Sequence, residues 1–317
     1  MTTPKLAIVV PCYNEEEGIE KTIKRLLEIR DELISKNEIN EESFIYVVND
    51  GSKDKSWDII KKLNQENQAV KGLSFTRNFG NQSALIAGLT KAKDLKADCA
   101  ITIDADLQQD ETKIGEFVEK YKNGADIVCG IRNDRHTDGI IKKLTAEAFY
   151  KLMNLMGVKI QRNHSDYRLV SAKALDVLSQ YKEVNMFLRG LFYELGLKTE
   201  YVKFKVKKRE FGETKYTLFS LYELALKGIT AFSVVPLRIL TFAGFGIAIV
   251  NFILCLEVIY ERFFNTRIIP GWATIVFVVC FMGGVQIMAI GVIGEYIGQL
   301  FQEVKGRPRY IEDEQLL

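Results

Sequence analysis

Ile101-Thr102-Ile103-Asp104-Ala105-Asp106-Leu107-Gln108 places two carboxylates one residue apart, with a side-chain amide following, directly behind three apolar or β-branched residues. Such an apolar run reads as a buried parallel strand. Carboxylates at its C-terminal end would stand in the crevice where open α/β sheets bind ligands. Oxygen donors suit a hard divalent cation, Mg2+ or Mn2+, which in turn suits a diphosphate. Asp-x-Asp is also common in ordinary acidic loops, so the pair gains weight only if other polar loops converge on it.

The elements that would position these carboxylates alternate along the first half of the chain. Residues 6–10 form an apolar strand, and Pro11-Cys12-Tyr13-Asn14 turns out of it. Asn14 and Glu17 have the spacing of an N-cap and its capping-box partner, predicting a helix through Arg30. Residues 44–48 form a second strand, ending in Asn49-Asp50-Gly51-Ser52. A helix at 57–63, a strand at 72–75 and a helix at 81–93 lead to the Asp-x-Asp strand. A helix at 113–121 and a strand at 126–129 follow it. This alternation implies right-handed crossovers and a largely parallel sheet. The polar turns at 11–17, 49–52 and 104–110 would then share one sheet edge and build a single site.

A net charge of +2 over 317 residues gives no global basic field, which argues against nucleic acid as a partner. His136 and His164 are too few and too far apart for an imidazole zinc site. Cys12, Cys99, Cys129, Cys255 and Cys280 show no C-x-x-C spacing and read as small core residues in a reducing compartment. Met1-Thr2-Thr3-Pro4-Lys5 runs directly into a strand pattern, which predicts no signal peptide. Two stretches, 239–256 and 268–294, carry no charge. Each is long enough to cross a hydrocarbon core of about 30 Å, which needs roughly 20 residues, and this predicts two transmembrane helices.

Five motifs occur in order: Pro11-Cys12-Tyr13-Asn14-Glu15-Glu16, Asn49-Asp50-Gly51-Ser52, Arg77-Asn78-Phe79-Gly80, Asp104-Ala105-Asp106-Leu107-Gln108 and Ser165-Asp166-Tyr167-Arg168-Leu169. Together they resemble the GT-A-fold glycosyltransferases of family 2, over nearly the whole chain. More narrowly, the chain resembles the bacterial polyprenyl-phosphate glycosyltransferases, relatives of dolichyl-phosphate mannose synthase with two C-terminal membrane helices. It departs at Gln109-Asp110-Glu111, where many relatives carry Asp-Pro-Pro. That predicts a looser turn with the metal ligands still in place.

The resemblance implies an α/β, GT-A (Rossmann-like), mostly parallel sheet whose first two loops hold the base and ribose of a nucleotide sugar. Pro11 and Tyr13 would offer flat apolar surface, and Glu15 and Asp50 would accept hydrogen bonds. Asp104, Ala105 and Asp106 would also meet the nucleotide sugar, with a metal bound through Asp106 and Gln108, and Asp104 nearer the nucleotide. Asp166 occupies the family's acceptor-activating position, and the expected reaction is inverting displacement. A phosphate monoester has a second pKa of about 6, so such an acceptor is already mostly ionised at neutral pH. Asp166 would then orient it or take up a residual proton. Residues 209–216 match the family's Arg-x-x-Gly-x-Ser/Thr-Lys-Tyr loop, in which Arg209 and Lys215 would clamp phosphate while Gly212 lets the loop close. Arg132 would meet phosphate too. Lys203, Lys205 and Lys207 alternate with Val202, Phe204 and Val206, the period of a half-exposed strand facing solvent or headgroups.

The expected organisation is a cytoplasmic catalytic domain over 1–212, interfacial amphipathic helices over 213–233, and a transmembrane hairpin with a cytoplasmic tail over 234–317. The spans are expected at 235–260 and 272–298. Phe219, Tyr222, Leu226 and Ile229 share one face of the interfacial helix, and a helix at 144–156 is also amphipathic. Arg262 and Arg267 in the connection are outnumbered by Lys227, Arg238, Lys305, Arg307 and Arg309. The positive-inside bias therefore puts the catalytic domain in the cytoplasm, at the inner or plasma membrane. Gly291, Gly294 and Gly298 form a small-residue track that suits either a dimer or tetramer or close packing within the hairpin.

UDP-glucose and undecaprenyl phosphate are the favoured substrates, by resemblance to two-span bacterial relatives. GDP-mannose and UDP-N-acetylglucosamine stay open, because Asp50 could pair with uracil or guanine. A processive polysaccharide synthase would carry Gln-x-x-Arg-Trp, and Trp57 and Trp272 lie in other contexts. A non-catalytic membrane sensor or scaffold is the remaining alternative, against which the intact Asp104, Asp106, Gln108 and Asp166 count.

Overall fold

The computed structural model describes residues 3–133, 164–183, 188–207, 233–264 and 271–317. Its strands are β1 (Leu6–Cys12), β2 (Phe44–Asn49), β3 (Val70–Phe75), β4 (Cys99–Thr102), β5 (Ile127–Arg132), β6 (His164–Ser171), β7 (Thr199–Phe204) and β8 (Glu312–Leu316). Its helices are α1 (Ile19–Ser35), α2 (Ser56–Glu66), α3 (Asn81–Asp94), α4 (Ile114–Lys122), α5 (Ala172–Leu178), α6 (Leu188–Glu194), α7 (Val235–Phe264) and α8 (Trp272–Val304).

All eight strands join one sheet in the order β7-β5-β6-β4-β1-β2-β3-β8. Only β6 and β8 run against the others. That is the mostly parallel α/β architecture expected of a GT-A fold. Strand order reverses at β1, which pairs in parallel with both β2 and β4, so a crevice opens where their C-terminal ends diverge.

Period-2 alternation splits the core into two layers. Leu6, Ile8 and Val10 pack with α1, α2 and α4, whereas Ala7 and Val9 face α3, α5 and α6. Gly88 lets α3 lie close on β1, because a Cβ there would come within 2.2 Å of Val9 Cγ1. Cys12, Cys99 and Cys129 are buried and unbridged, as expected, and burial pushes the Cys12 thiol up to about 12. Val202 and Phe204 are buried between exposed Tyr201, Lys203 and Lys205, so β7 has the half-exposed alternation expected of it.

The two C-terminal helices run longer than the expected spans. They contain stretches, Val235–Leu254 and Phe281–Val304, that are long and apolar enough to cross a membrane, and none of either stretch is buried within the chain. The helices are antiparallel: the Tyr296 hydroxyl donates to the Ser233 carbonyl (2.6 Å), and Asn251 Nδ2 reaches Met282 Sδ (4.0 Å). Among the described residues, nothing lies within 4 Å of a Cβ placed at Gly291, Gly294 or Gly298. The glycine track therefore does not bring these two helices together. The expected helices at 144–156 and 219–232 lie outside the described residues, as do His136, Arg267, Arg209, Gly212 and Lys215.

Candidate active site

β4 delivers the Asp-x-Asp motif to the crevice. The Ile103 N–H donates to the Val9 carbonyl (3.0 Å), carrying the pairing with β1 one residue beyond the strand. The chain then turns sharply through Leu107, whose φ of 49° is left-handed, an unusual conformation for a branched residue. Several contacts hold the turn. Thr22 Oγ1 on α1 donates to the Ala105 carbonyl (2.6 Å), the Gln108 N–H to Asp106 Oδ1 (3.1 Å), and the Lys207 N–H to the Gln108 carbonyl (2.9 Å). Asp104, Asp106 and Gln108 are half-buried, and Ala105 is buried.

Gln109-Asp110-Glu111 does not loosen this turn; it tightens it. The Gln109 amide is buried, accepts from the Asp104 N–H (3.0 Å) and donates to Asp104 Oδ2 (2.5 Å) and Ser165 Oγ (3.2 Å). Asp110 caps the short 3-10 turn Glu111–Lys113 by accepting from the Thr112 N–H (3.2 Å), while its carbonyl accepts from the Tyr167 hydroxyl (3.1 Å). Burial pushes that hydroxyl's pKa well up, keeping it a donor. Glu111, only 5% exposed, is paired with Lys207 (2.5 Å) and Arg25 (3.3 Å). Polar side chains with long-range partners replace the stiffness that two prolines would have supplied.

Asp166 lies on the neighbouring strand at the same edge. β6 is antiparallel to β4, so its N-terminal half meets the C-terminal end of β4, with Thr102 opposite Arg168. Thr102 Oγ1 donates to the Asp166 carbonyl (2.5 Å) and the Arg168 carbonyl (3.2 Å). Gln109 thus links Asp104 to Ser165, the residue before Asp166. Arg132, exposed at the end of β5, lies on the same edge one strand further out.

The first two loops differ in detail from expectation. β1 continues through Cys12, so Pro11 is buried within the strand opposite Val48 rather than presented by the turn. Tyr13 and Glu15 are half-buried. Asn14 is not the N-cap of α1: it adopts φ 52° and ties the two loops together. Its N–H donates to Ser52 Oγ (2.9 Å), and its Oδ1 accepts from the Lys53 N–H (2.9 Å). The Glu15 N–H donates to Ser56 Oγ (2.9 Å), and its carbonyl accepts from the Gly18 (3.0 Å) and Ile19 (2.9 Å) N–H groups, so α1 begins at Ile19.

Asp50 is only 3% exposed, and its carboxylate faces the protein. Oδ1 accepts from the Phe79 N–H (2.6 Å) and Oδ2 from the Gly80 N–H (2.9 Å). Burial raises its pKa, opposed by these two bonds. Asp50 is therefore first an anchor for the Arg77-Asn78-Phe79-Gly80 loop. Gly51 completes the interlock: it has φ 64°, and a Cβ there would come within 2.2 Å of the Arg77 backbone.

Gln109 and Lys207 escaped the sequence reading. Gln109 was seen only as a departure from the Asp-Pro-Pro pattern, and Lys207 only as one of an exposed row. Lys207 sits beside the Asp106 turn, and together with Glu17, Lys21, Lys24, Asp106 and Glu111 it lines a cavity of about 560 Å³ between that turn and α1. Among the described residues no three His, Cys, Asp or Glu side chains gather as a ready-made metal cage.

A mostly parallel sheet with carboxylate-bearing loops at the β1/β4 switch is the arrangement in which open α/β sheets bind ligands. Residues 7–179 match the profile of glycosyl transferase family 2. The chain belongs to that family and is a glycosyltransferase. It is 44% identical over 310 residues to the uncharacterized glycosyltransferase YkoT of Bacillus subtilis, covering 98% of this chain and 91% of that one. It is 40% identical over 311 residues to the prophage bactoprenol glucosyl transferase homolog of Escherichia coli (97% and 98%) and 39% identical over 311 residues to the bactoprenol glucosyl transferase of Shigella phage SfII (97% and 97%).

Proposed function

We propose that this glycosyltransferase moves glucose from UDP-glucose to the phosphate of a polyprenyl lipid, undecaprenyl phosphate, at the cytoplasmic face of the membrane. The observation that carries the reading is one sheet edge bearing the Asp104-Ala105-Asp106 turn, Asp166 and the Asp50 loop, in a chain whose second half supplies two long, lipid-compatible helices. Alignment over nearly the full chain, at 40% and 39% identity, with proteins named as a bactoprenol glucosyl transferase homolog and a bactoprenol glucosyl transferase supports both the sugar and the acceptor. The proposed division is the catalytic domain over 1–212, interfacial helices over 213–233 and the hairpin with its tail over 234–317.

In this reading Tyr13 and Glu15 meet the nucleoside, and Asp50 shapes the loop beside it. Asp106 with Gln108, and Asp104 behind them, would hold Mg2+ or Mn2+. This oxygen-only set, short of a full cage, fits a cation completed by the substrate's own phosphates. When bound, such a cation offsets charge building on the departing diphosphate. Arg132, Arg209 and Lys215 neutralise phosphate on either substrate. Asp166 orients the lipid phosphate for in-line attack on the anomeric carbon, and the acceptor's low second pKa makes a strong base unnecessary. A lipid acceptor stays in the bilayer, so the sheet edge comes to the interface, where the exposed Lys203 and Lys205 favour anionic headgroups, while Lys207 is held by Glu111 beside the Asp106 turn.

The test is transfer by the full-length protein in detergent, with labelled UDP-glucose, UDP-N-acetylglucosamine and GDP-mannose offered with undecaprenyl phosphate. Expected are a glucosyl lipid, loss of product on chelation, and loss of turnover in Asp166→Asn with nucleotide affinity intact. Nucleotide binding without transfer from any donor would instead establish the sensor reading. Full turnover in Asp166→Asn would remove that residue's assigned role.

A further inference from the structure

We infer that the C-terminal tail sets the geometry of the nucleotide loop, with Tyr310 as a positioning residue for nucleotide binding. The inference rests on the nucleotide-sugar reading of the Asp50 loop. After α8 ends at Val304, the chain returns to the sheet. Arg309 donates to the Tyr181 carbonyl (2.5 Å) and the Glu183 carbonyl (2.8 Å), and β8 then zips antiparallel along β3, from Glu312 opposite Phe75 to Leu316 opposite Gly72. Without it, β3 would be an open edge.

Between these two anchors lies the connection to the site. The Thr76 N–H donates to the Ile311 carbonyl (3.1 Å), one residue before the Arg77-Asn78-Phe79-Gly80 loop. The Tyr310 ring stacks on Phe75, with centroids 4.8 Å apart and planes at 15°. Phe75 meets Phe79 edge-on at 5.7 Å, and the Arg77 guanidinium lies 3.9 Å from the centre of the Phe79 ring. Phe79 and Gly80 are the residues whose N–H groups grip the Asp50 carboxylate. Contacts thus run continuously from the tail through Tyr310, Phe75 and Phe79 to Asp50.

Thr76, Arg77 and Asn78 are exposed, so the loop has little burial of its own to hold it, and its conformation depends on these anchors. The same tail is joined to α8 by a few residues. The helix end and the nucleotide loop are therefore coupled by a short strap, through the pairing of β8 with β3 and the Tyr310 stack on Phe75.

The experiment compares UDP binding, steady-state kinetics and amide exchange at residues 76–80 in full-length Tyr310→Ala, Tyr310→Phe and Glu314→Ala. Glu314 anchors the far end of the tail on Trp57 Nε1 (2.9 Å) and Lys61 Nζ (2.7 Å), away from the loop. Tyr310→Ala should raise the UDP Kd and the donor KM about fivefold, the worth of one aromatic pair at ~1 kcal/mol. Its kcat should stay within about twofold, while exchange at Phe79 and Gly80 speeds up. Tyr310→Phe keeps the ring and should match the parent. Glu314→Ala should lower the melting temperature and leave Kd unchanged. Tyr310→Leu, which keeps apolar bulk without the ring, decides the question should the alanine variant not fold. Parent-like Kd and exchange in a folded Tyr310→Ala or Tyr310→Leu protein would overturn the inference. A parent protein that fails to bind UDP would overturn the nucleotide reading instead.

Discussion

Replacing Gln109 tests whether the Asp104-Ala105-Asp106 turn is held by the Gln109 amide. In the parent the amide satisfies the Asp104 N–H at 3.0 Å, binds the Asp104 carboxylate at 2.5 Å and reaches Ser165 Oγ at 3.2 Å. Gln109→Ala removes all three bonds from a site 2% exposed. A hydrogen bond to a charged group contributes about 1.5–3 kcal/mol, and an orphaned buried donor costs about 1–3 kcal/mol. Asp104 is half-buried, so water recovers part of this, leaving a loss of roughly 2–3 kcal/mol. At about 2–4 °C per kcal/mol for a domain of this size, the catalytic domain should melt roughly 5–10 °C lower. Displacing Asp104 by about 1 Å should also slow transfer by around 10²-fold. Gln109→Glu separates the two roles of the amide, because it keeps an acceptor for the Asp104 N–H but sets a second carboxylate against the first. At neutral pH it should be at least as slow as Gln109→Ala. The assays are sugar transfer to lipid and thermal melting of the same preparations. Parent-like rates and melting in both variants would refute the argument that Gln109 organises the turn.

Two further outcomes follow from packing and charge. Gly88→Ala should destabilise the catalytic domain by about 1–3 kcal/mol through overpacking against Val9, and Val9→Ala should restore part of that loss; an unchanged melting temperature in the single variant would sink the idea. Lys61, and then Trp57, hold the Glu314 carboxyl below its ordinary value. A depressed folded-state pKa contributes stability above the unfolded-state value, and that stability is lost as pH falls through the folded value. Trp57 emission should therefore step at acid pH as the tail loses this anchor, and the step should vanish in Glu314→Gln; the same step in both proteins would show that Glu314 is not its source.

The sheet was legible because β1, β2 and β4 are continuous apolar runs, and such runs closed by polar turns leave few topologies open. The convergence of three loops on one edge followed from that alone. What was illegible depends on partners remote in sequence. Asn14 looks like a helix cap because three-residue spacing is all that the sequence shows. In the fold it is spent on Ser52 and Lys53, and α1 starts five residues later. Asp50 looks like a ligand contact, and nothing local shows that its carboxylate also accepts from backbone groups 29 and 30 residues away. β8 has neither alternation nor apolar residues until Leu316, so no local pattern marks it. Its acidic side chains find Lys91, Lys61 and Trp57 only once β3 is in place. These three cases share a cause. Polar side chains at a sheet edge can serve a ligand or the loop beside it, and composition cannot separate the two. A motif therefore locates the site, but the hydrogen-bond partners decide which of its residues face the substrate and which hold the others still.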